Sequence, residues 1–500
     1  MGNFLRKPLS QLLEEAGASE QGLKRTLGPG ALVALGIGAI IGAGLFVRTA
    51  AAAAQNAGPS VTLGFVIAAI GCAFAGLCYA ELSSSIPISG SAYTYTYATM
   101  GEMLAWVIGW DLILEYAVGA ATVGIAWSEY LNHFLIHVMH LNPIPYEWSH
   151  SPFEHSIPDA AGVVHHGIIN LPALGIVTAM SLLLIRGIHE SAVVNNIFVI
   201  VKVGIVLLLI AFGWQFINPA HHTPYIPEPG IYTDHQGINH SFGGIMGILG
   251  AAGVVFFAFI GFDAVSTAAQ ETKDPKRAMP IGILGSLVIC TVLYVLFSHV
   301  LTGLAPLEFF RTTGKEASVA AAIATYMPGY EWLGKLVTVA ILAGFTSVIL
   351  VMLLGQSRVF YSMSRDGLMP PVFSKLHPKF HTPYRANLII MVLVGAFAAF
   401  VPGDIVGDMT SIGTLFAFIL VCLAVIILRK KEPDMPRKFR TPLVPLIPIL
   451  GILVCTAMIF GLGWTNWLRL AGWLALGMII YFGYSVKHSK LRKAGQKADV

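Results

Sequence analysis

Twelve stretches of this chain are apolar for long enough to cross a bilayer, and they constrain the fold before any other feature does. They fall at 31–54, 60–86, 104–137, 168–186, 191–217, 243–269, 281–303, 333–363, 385–402, 405–428, 443–463 and 466–486. As helices, runs of this length cover roughly 30 Å of hydrocarbon. In lipid every backbone N–H and C=O must be satisfied within the protein, and runs this long select helices over a closed barrel. Composition agrees: 56% of the 500 residues are hydrophobic and only 11% are charged, far from the soluble globular range. The expected fold is an all-α polytopic membrane protein.

Alternating sides from an inner N-terminus assigns 24 of the 30 Lys and Arg to inner segments, including Lys24, Arg25, Lys276, Arg277 and the cluster at 429–431. Both termini are therefore expected in the cytoplasm of a cell-membrane protein. The net charge of +4 follows from that bias and calls for no nucleic-acid partner. Cys72, Cys78, Cys290, Cys422 and Cys455 all fall within spans without CxxC spacing, so they read as small core residues. The first 30 residues contain no cleavable signal, and Leu9, Leu12 and Leu13 suggest a short helix at the inner surface.

Residues 36–47, GIGAIIGAGLFV, place four glycines inside the first apolar run. Glycine costs about 1 kcal/mol relative to alanine inside a helix, so Gly42 and Gly44, with Ala43 between them, favour a break at mid-membrane. A break there must line a wet cavity or hold a ligand. The N–H groups opening the second half-helix attract a carboxylate, and the carbonyls ending the first attract an ammonium. An amino acid carries both. A second reading is close packing, since Gly38 and Gly42 also form a small-xxx-small face. The spacing is not that of a dinucleotide fingerprint.

Run six, GAAGVVFFAFIGFDAVSTAAQ at 250–270, repeats this logic, with Gly261 and Asp263 weakening its centre just after Phe257, Ala258 and Ile260. Interrupted runs five spans apart are the pattern of two inverted five-helix repeats, which favours the ligand-site reading of Gly42 to Gly44.

Ionisable residues inside the spans are few. Asp111 and Glu115 lie four apart on one helical face of run three. Intramembrane carboxylates face a cavity or a partner, so Glu115 reads either as a pathway residue or as a hydrogen-bonded structural one. Lys202, in NIFVIVKVGIVLLLI, lies too deep to snorkel. A lysine desolvated at that depth can exchange a proton in the physiological range; the alternative is a structural lysine satisfied by carbonyls or a carboxylate. Gly344, Thr346 and Ser347 in run eight can satisfy unwound backbone or coordinate an ion. The polar aromatic segment at 79–97 suits a packed inner gate or an interfacial aromatic belt.

Seven histidines between His133 and His166 read as belonging to a solvated outer segment, because no acidic or cysteine ligand framework accompanies them. Asn239-His240-Ser241 is a glycosylation sequon only in an organism that uses it. No nucleophile elbow, Walker loop or HExxH is present, which excludes the common enzyme classes.

Four motifs together, GIGAIIGAGLFV (36–47), YAELSSSIPISGSAYTYTY (79–97), FFAFIGFDAVSTAAQETKDPKRAMPIGI (256–283) and GQSRVFYSMSRDGLMP (355–370), resemble the amino acid-polyamine-organocation superfamily. The resemblance is closest to bacterial members of its cationic amino acid transporter branch and covers nearly the whole chain. It implies twelve helices: inverted repeats at 31–217 and 243–428, an external connection at 218–242, a basic inner loop at 429–442 and two further helices at 443–486. The ends, 1–30 and 487–500, would be cytoplasmic.

The resemblance also implies one amino acid bound at midplane, around Gly42. The N–H groups of Ala43 and Gly44 would hold its carboxylate, and the carbonyls of Ile40, Phe257, Ala258 and Ile260 its ammonium. Phe257 would close over it as an outer gate. Lys202 matches a lysine that lies where sodium-coupled relatives place sodium, which implies proton coupling. Glu115 and Asp263 are candidates to border the pathway.

Two departures bear on substrate. Ala43 stands where many relatives carry Ser or Thr, and Ile349 is bulky and apolar in the part of run eight that faces the pocket in relatives, which disfavours a long cationic side chain. The expected function is proton-coupled symport of small or neutral amino acids by alternating access, with runs one, two, six and seven rocking as a bundle. Exchange, cationic amino acid uptake and a non-transporting receptor are the alternatives. The expected partners are an amino acid, a proton and membrane lipid; no cofactor, metal or obligate protein partner is expected.

Overall fold

The computed structural model describes residues 5–17, 23, 25–42, 44–153, 166–233, 239–312, 318–402, 407–461 and 464–498. A short helix, α1 (Leu9–Gly17), precedes α2 (Pro29–Ile40). Pro29 suits a helix start, where its fixed φ is pre-organised and no N–H is needed. Winding stops at Ile41, which is extended (φ −78°, ψ 101°), and resumes as a wide turn at Gly44–Arg48. Gly58, at φ 55°, then turns the chain into α3 (Val61–Ser85), followed by α4 (Ala92–Thr99).

The next helix, α5 (Glu102–Ile113), passes through a π-helical turn at Leu114–Val118 into α6 (Gly119–His137). Beyond it α7 (Leu171–Arg186) is capped by Asn170, whose side chain accepts the Ala173 N–H at 3.1 Å, and α8 (Ile188–Gly213) follows. Strands β1 (Gly230–Thr233) and β2 (Asn239–Phe242) pair antiparallel, Gly230 opposite Phe242, so the expected external connection contains a hairpin.

The second break follows α9 (Gly244–Phe256): one 3-10 turn at Phe257–Phe259, an extended Ile260, left-handed Gly261 (φ 108°) and a 3-10 stretch at Phe262–Glu271. The main helices that follow are α10 (Pro275–Leu304), α11 (Glu331–Arg365), α12 (Tyr384–Phe400), α13 (Gly407–Lys431), α14 (Leu446–Gly461), α15 (Trp464–Ile480) and α16 (Lys490–Ala498). Among the described residues, eight helical stretches are long and apolar enough to cross a membrane, and four shorter apolar ones accompany them.

Helix packing divides the molecule. α3 lies along both α10 and α9, and α10 along α2; separately, α11 lies along α6 and α8, and α12 along α7. The two breaks sit where these groups meet. Tyr79, Tyr93, Tyr95 and Tyr97 are essentially fully buried, which rules out the interfacial belt for segment 79–97 and leaves a packed one. The N-terminal helix is likewise no simple surface helix, because Leu12 is buried in the core. Two buried carboxylates tie distant segments together: Arg358 donates to both Glu271 oxygens at 3.1 and 2.7 Å. Glu81 accepts from Arg429 and from the Thr441 N–H. All five cysteines are free and buried.

Candidate functional site

Both breaks leave carbonyls without their i+4 donors, and specific side chains take them up. The Tyr294 hydroxyl, on α10, lies 2.8 Å from the Ile40 carbonyl and 2.9 Å from that of Ala258, so one phenol stands between the two interrupted elements. Lys202, on α8 and fully buried, donates to the carbonyls of Gly38 at 2.9 Å and Ile41 at 2.8 Å and to the Ser347 hydroxyl at 2.7 Å. These three bonds use every N–H of an ammonium. Ser347 in turn donates toward the Gly38 and Gly344 carbonyls, the satisfaction of unwound backbone expected of that hydroxyl. Thr346 accepts from the Trp127 indole at 3.0 Å instead.

The glycines serve packing as well as the break. A Cβ on Gly44 would run into the backbone of Ala258, one on Gly38 into the Asn195 side chain, and one on Gly42 would lie 2.7 Å from Val348 Cγ2. The two readings of the motif thus coexist, since interrupted backbones approach most closely where no Cβ intervenes.

A cavity of about 20 Å³ lies beside the breaks, and Ile40, Gly42, Gly44, Phe257 and Ile260 contribute to its wall. Ala258 is fully buried against Gly44, and Ala43 lies outside the described residues. The Arg48 guanidinium sits over the Phe257 ring, 5.2 Å from its centroid. From α11 the wall receives Val348 and Met352. Ile349 is fully buried and is not among the lining residues. Ala39, Gly119, Val123 and Thr410 complete the wall, none of them singled out from sequence.

Next to this wall runs the π-helical turn at 114–118, where the Leu114 carbonyl accepts both the Gly119 N–H and the Thr410 hydroxyl, the latter at 3.3 Å; such turns recur at functional sites. The turn also carries Glu115 and Tyr116. The Tyr116 hydroxyl donates to Asp263 at 2.5 Å, and the Glu115 carboxyl lies against that of Asp263. The structure therefore brings Glu115 and Asp263 together, and both are fully buried.

Among the described residues, the histidines from His133 to His166 do not converge on one point. The His133 and His137 rings lie 4.4 Å apart between centroids, tilted by 40°, while His150 stacks on Tyr146; His155 and His165 lie outside the described residues. Among the described residues no group of three His, Cys, Asp or Glu side chains could hold a metal.

The family model described as amino acid permease matches residues 27–484. The chain is 45% identical over 495 residues to the branched-chain amino acid permease BcaP of Bacillus subtilis (strain 168), covering 98% of this chain and 100% of that protein. It is 38% identical over 494 residues to the methylthioribose transporter of the same organism, covering 98% and 99%. Cationic amino acid transporter 4 of Mus musculus is 27% identical over 602 residues, covering 95% and 89%. These relatives are permeases and transporters rather than enzymes. With helices that cross the membrane many times, two interrupted elements meeting at buried glycines, and a family match across nearly its full length, the chain belongs to the amino acid permease family of the amino acid-polyamine-organocation superfamily.

Proposed function

We propose that the protein is a proton-coupled symporter of neutral amino acids with small or branched aliphatic side chains, working by alternating access in the cell membrane. In this reading both termini are cytoplasmic, and twelve helices form two inverted five-helix repeats (31–217 and 243–428) and a final pair. The observation that carries it is the Lys202 ammonium donating to Gly38 and Ile41 at the end of α2. An ammonium offers three N–H groups, whereas a neutral amine offers two and turns a lone pair toward one of its former acceptors. Loss of the proton therefore unfastens α8 from the broken segment or from Ser347, so proton and substrate act on the same stretch of backbone. Glu115 and Asp263, adjoining the second break, are assigned to the border of that proton path.

The cavity wall supports the substrate class. Val123, Val348, Met352, Phe257 and Ile260 reward apolar side chains at about 0.8 kcal/mol per buried methylene, and a charged side chain would lose its hydration without a partner. The first relative's name, branched-chain amino acid permease, agrees with that wall. The substrate carboxylate is assigned to the N–H groups of Ala43 and Gly44, and its ammonium to carbonyls between Ile40 and Ile260. A volume of about 20 Å³ is close to what one water needs, about 10–15 Å³, so admitting an amino acid requires the two helix groups to part.

Moving one positive charge with a neutral zwitterion draws about 2.3 kcal/mol from a potential of 100 mV. A half-unit pH gradient adds about 0.7 kcal/mol, enough together for roughly 100-fold accumulation. In proteoliposomes, Lys202→Met is expected to bind leucine yet accumulate none under an imposed pH gradient. Uptake that still follows the gradient in this variant would refute the assignment.

A further inference from the structure

A second cavity, of about 160 Å³, lies away from the breaks, where the two ends of the chain meet α11. Its wall includes Lys7 from the N-terminal segment, Tyr97 from α4, Arg365 and Asp366 at the end of α11, and Lys490 at the start of α16. The space is about ten times what a single water needs.

Among the described residues, the charges of this wall do not balance. Asp366 is engaged at both carboxylate oxygens, by the Lys7 ammonium at 2.5 Å and by the Tyr93 hydroxyl at 2.7 Å, and its backbone carbonyl accepts the Lys490 N–H at 3.1 Å. That carboxylate offsets one cation. Arg365 and Lys490 remain, and neither forms an ion pair with a carboxylate among the described residues. The Arg365 guanidinium lies 5.9 Å from the centroid of the Tyr361 ring, one helical turn earlier.

Three cationic side chains from three separate segments thus surround one polar concavity with a net excess of positive charge. Such a concavity concentrates anions. A tetrahedral phosphate presents acceptor oxygens in three or more directions at once, which three converging donors can share. A carboxylate presents only two oxygens, in one plane. Arg binds such oxygens through a fork and Lys as a point charge.

We propose that this cavity binds a phosphate group, carried by an anionic lipid headgroup or by a soluble phosphate compound. Occupancy ties both chain ends to α11, the helix that also supplies Ser347, Val348 and Met352 to the region of the breaks.

The test uses the full-length protein in nanodiscs, with thermal unfolding as the readout at fixed ionic strength. In phosphatidylcholine discs, titrated inorganic phosphate is expected to raise the Tm saturably, where equal ionic strength of chloride does not, if the ligand is soluble. If it is a headgroup, discs containing phosphatidylglycerol raise the Tm and added phosphate adds nothing. The double variant Arg365→Gln with Lys490→Gln is expected to lose the response, requiring about tenfold more ligand or beyond, the effect of losing one charge-assisted hydrogen bond. The charge-keeping pair Arg365→Lys with Lys490→Arg retains part of it, which separates lost charge from misfolding. No rise in the wild-type protein with either ligand, or an undiminished rise in the Gln variant, overturns the proposal.

Discussion

A Cβ at Gly44 has nowhere to go, because the atoms it meets are the backbone of Ala258 rather than the end of a side chain that could swing aside. Overpacking of this kind costs about 1–3 kcal/mol, and here it falls on the contact between the two breaks. Gly44→Ala is therefore expected to insert normally but to weaken leucine binding tenfold or more, read as loss of leucine-induced thermal stabilisation; wild-type affinity would show that the breaks need no such closeness. Gly42, Gly44 and Lys202 were legible in the sequence because each violates a local rule: glycine opposes a helix interior, and an ammonium opposes hydrocarbon. Tyr294 and Tyr116 were not, since a tyrosine in a membrane helix violates nothing and their partners lie 36 to 254 residues away. The shift from Ile349 to Val348 and Met352 has a similar cause. One residue turns a helix by about 100°, and around these positions α11 is buried on every side, so no polar face marks its rotation.

At the level of elements, the apolar runs and the two interruptions were readable because lipid imposes length and backbone satisfaction on every span. The hairpin was not: β1 and β2 are four residues each, too short for an alternating pattern to register. Nor was the π-helical turn at 114–118, which leaves the hydrophobic pattern intact. What joins the elements is largely long-range polar pairing. The Arg358–Glu271 fork, each side chain 1% exposed, holds the end of the second break against α11. Removing one member leaves a buried charge, at about 3–5 kcal/mol, whereas replacing both by apolar groups is far milder. Arg358→Met is thus expected to lower stability by that amount in chemical unfolding, and Glu271→Leu added to it to restore most of the loss; a double variant no more stable than the single one would show the fork to be more than a charge pair.

Across the whole molecule, the connection between α8 and α9 is fastened to α10 through histidines. The His222 ring lies 4.5 Å from that of His299, centroid to centroid, and its Nε2 is 3.2 Å from the Thr302 hydroxyl. Burial pushes the His222 imidazole below the usual histidine range, and the neighbouring His299 adds to the effect. A group whose proton affinity is lower folded than unfolded stabilises the fold above its unfolded pKa, about 6.5 for histidine, and loses that contribution as pH falls. Acidification from pH 7.5 to 5.5 is therefore expected to lower the Tm, and less so in His222→Gln, as differential scanning fluorimetry would record; an identical drop in both would remove His222 from the account. A proton gradient that drives uptake would act in the opposite direction, so the two acid responses are separable by assay.

The phenol of Tyr294 has a single hydrogen to offer and two oxygens asking for it, at Ile40 and Ala258. The hydroxyl must share that hydrogen between them or give it to one. On the proposed mode of binding, the ammonium of an arriving amino acid brings further donors to the same pair of carbonyls, so cargo and the closeness of the two uncoiled rods are coupled through one seam.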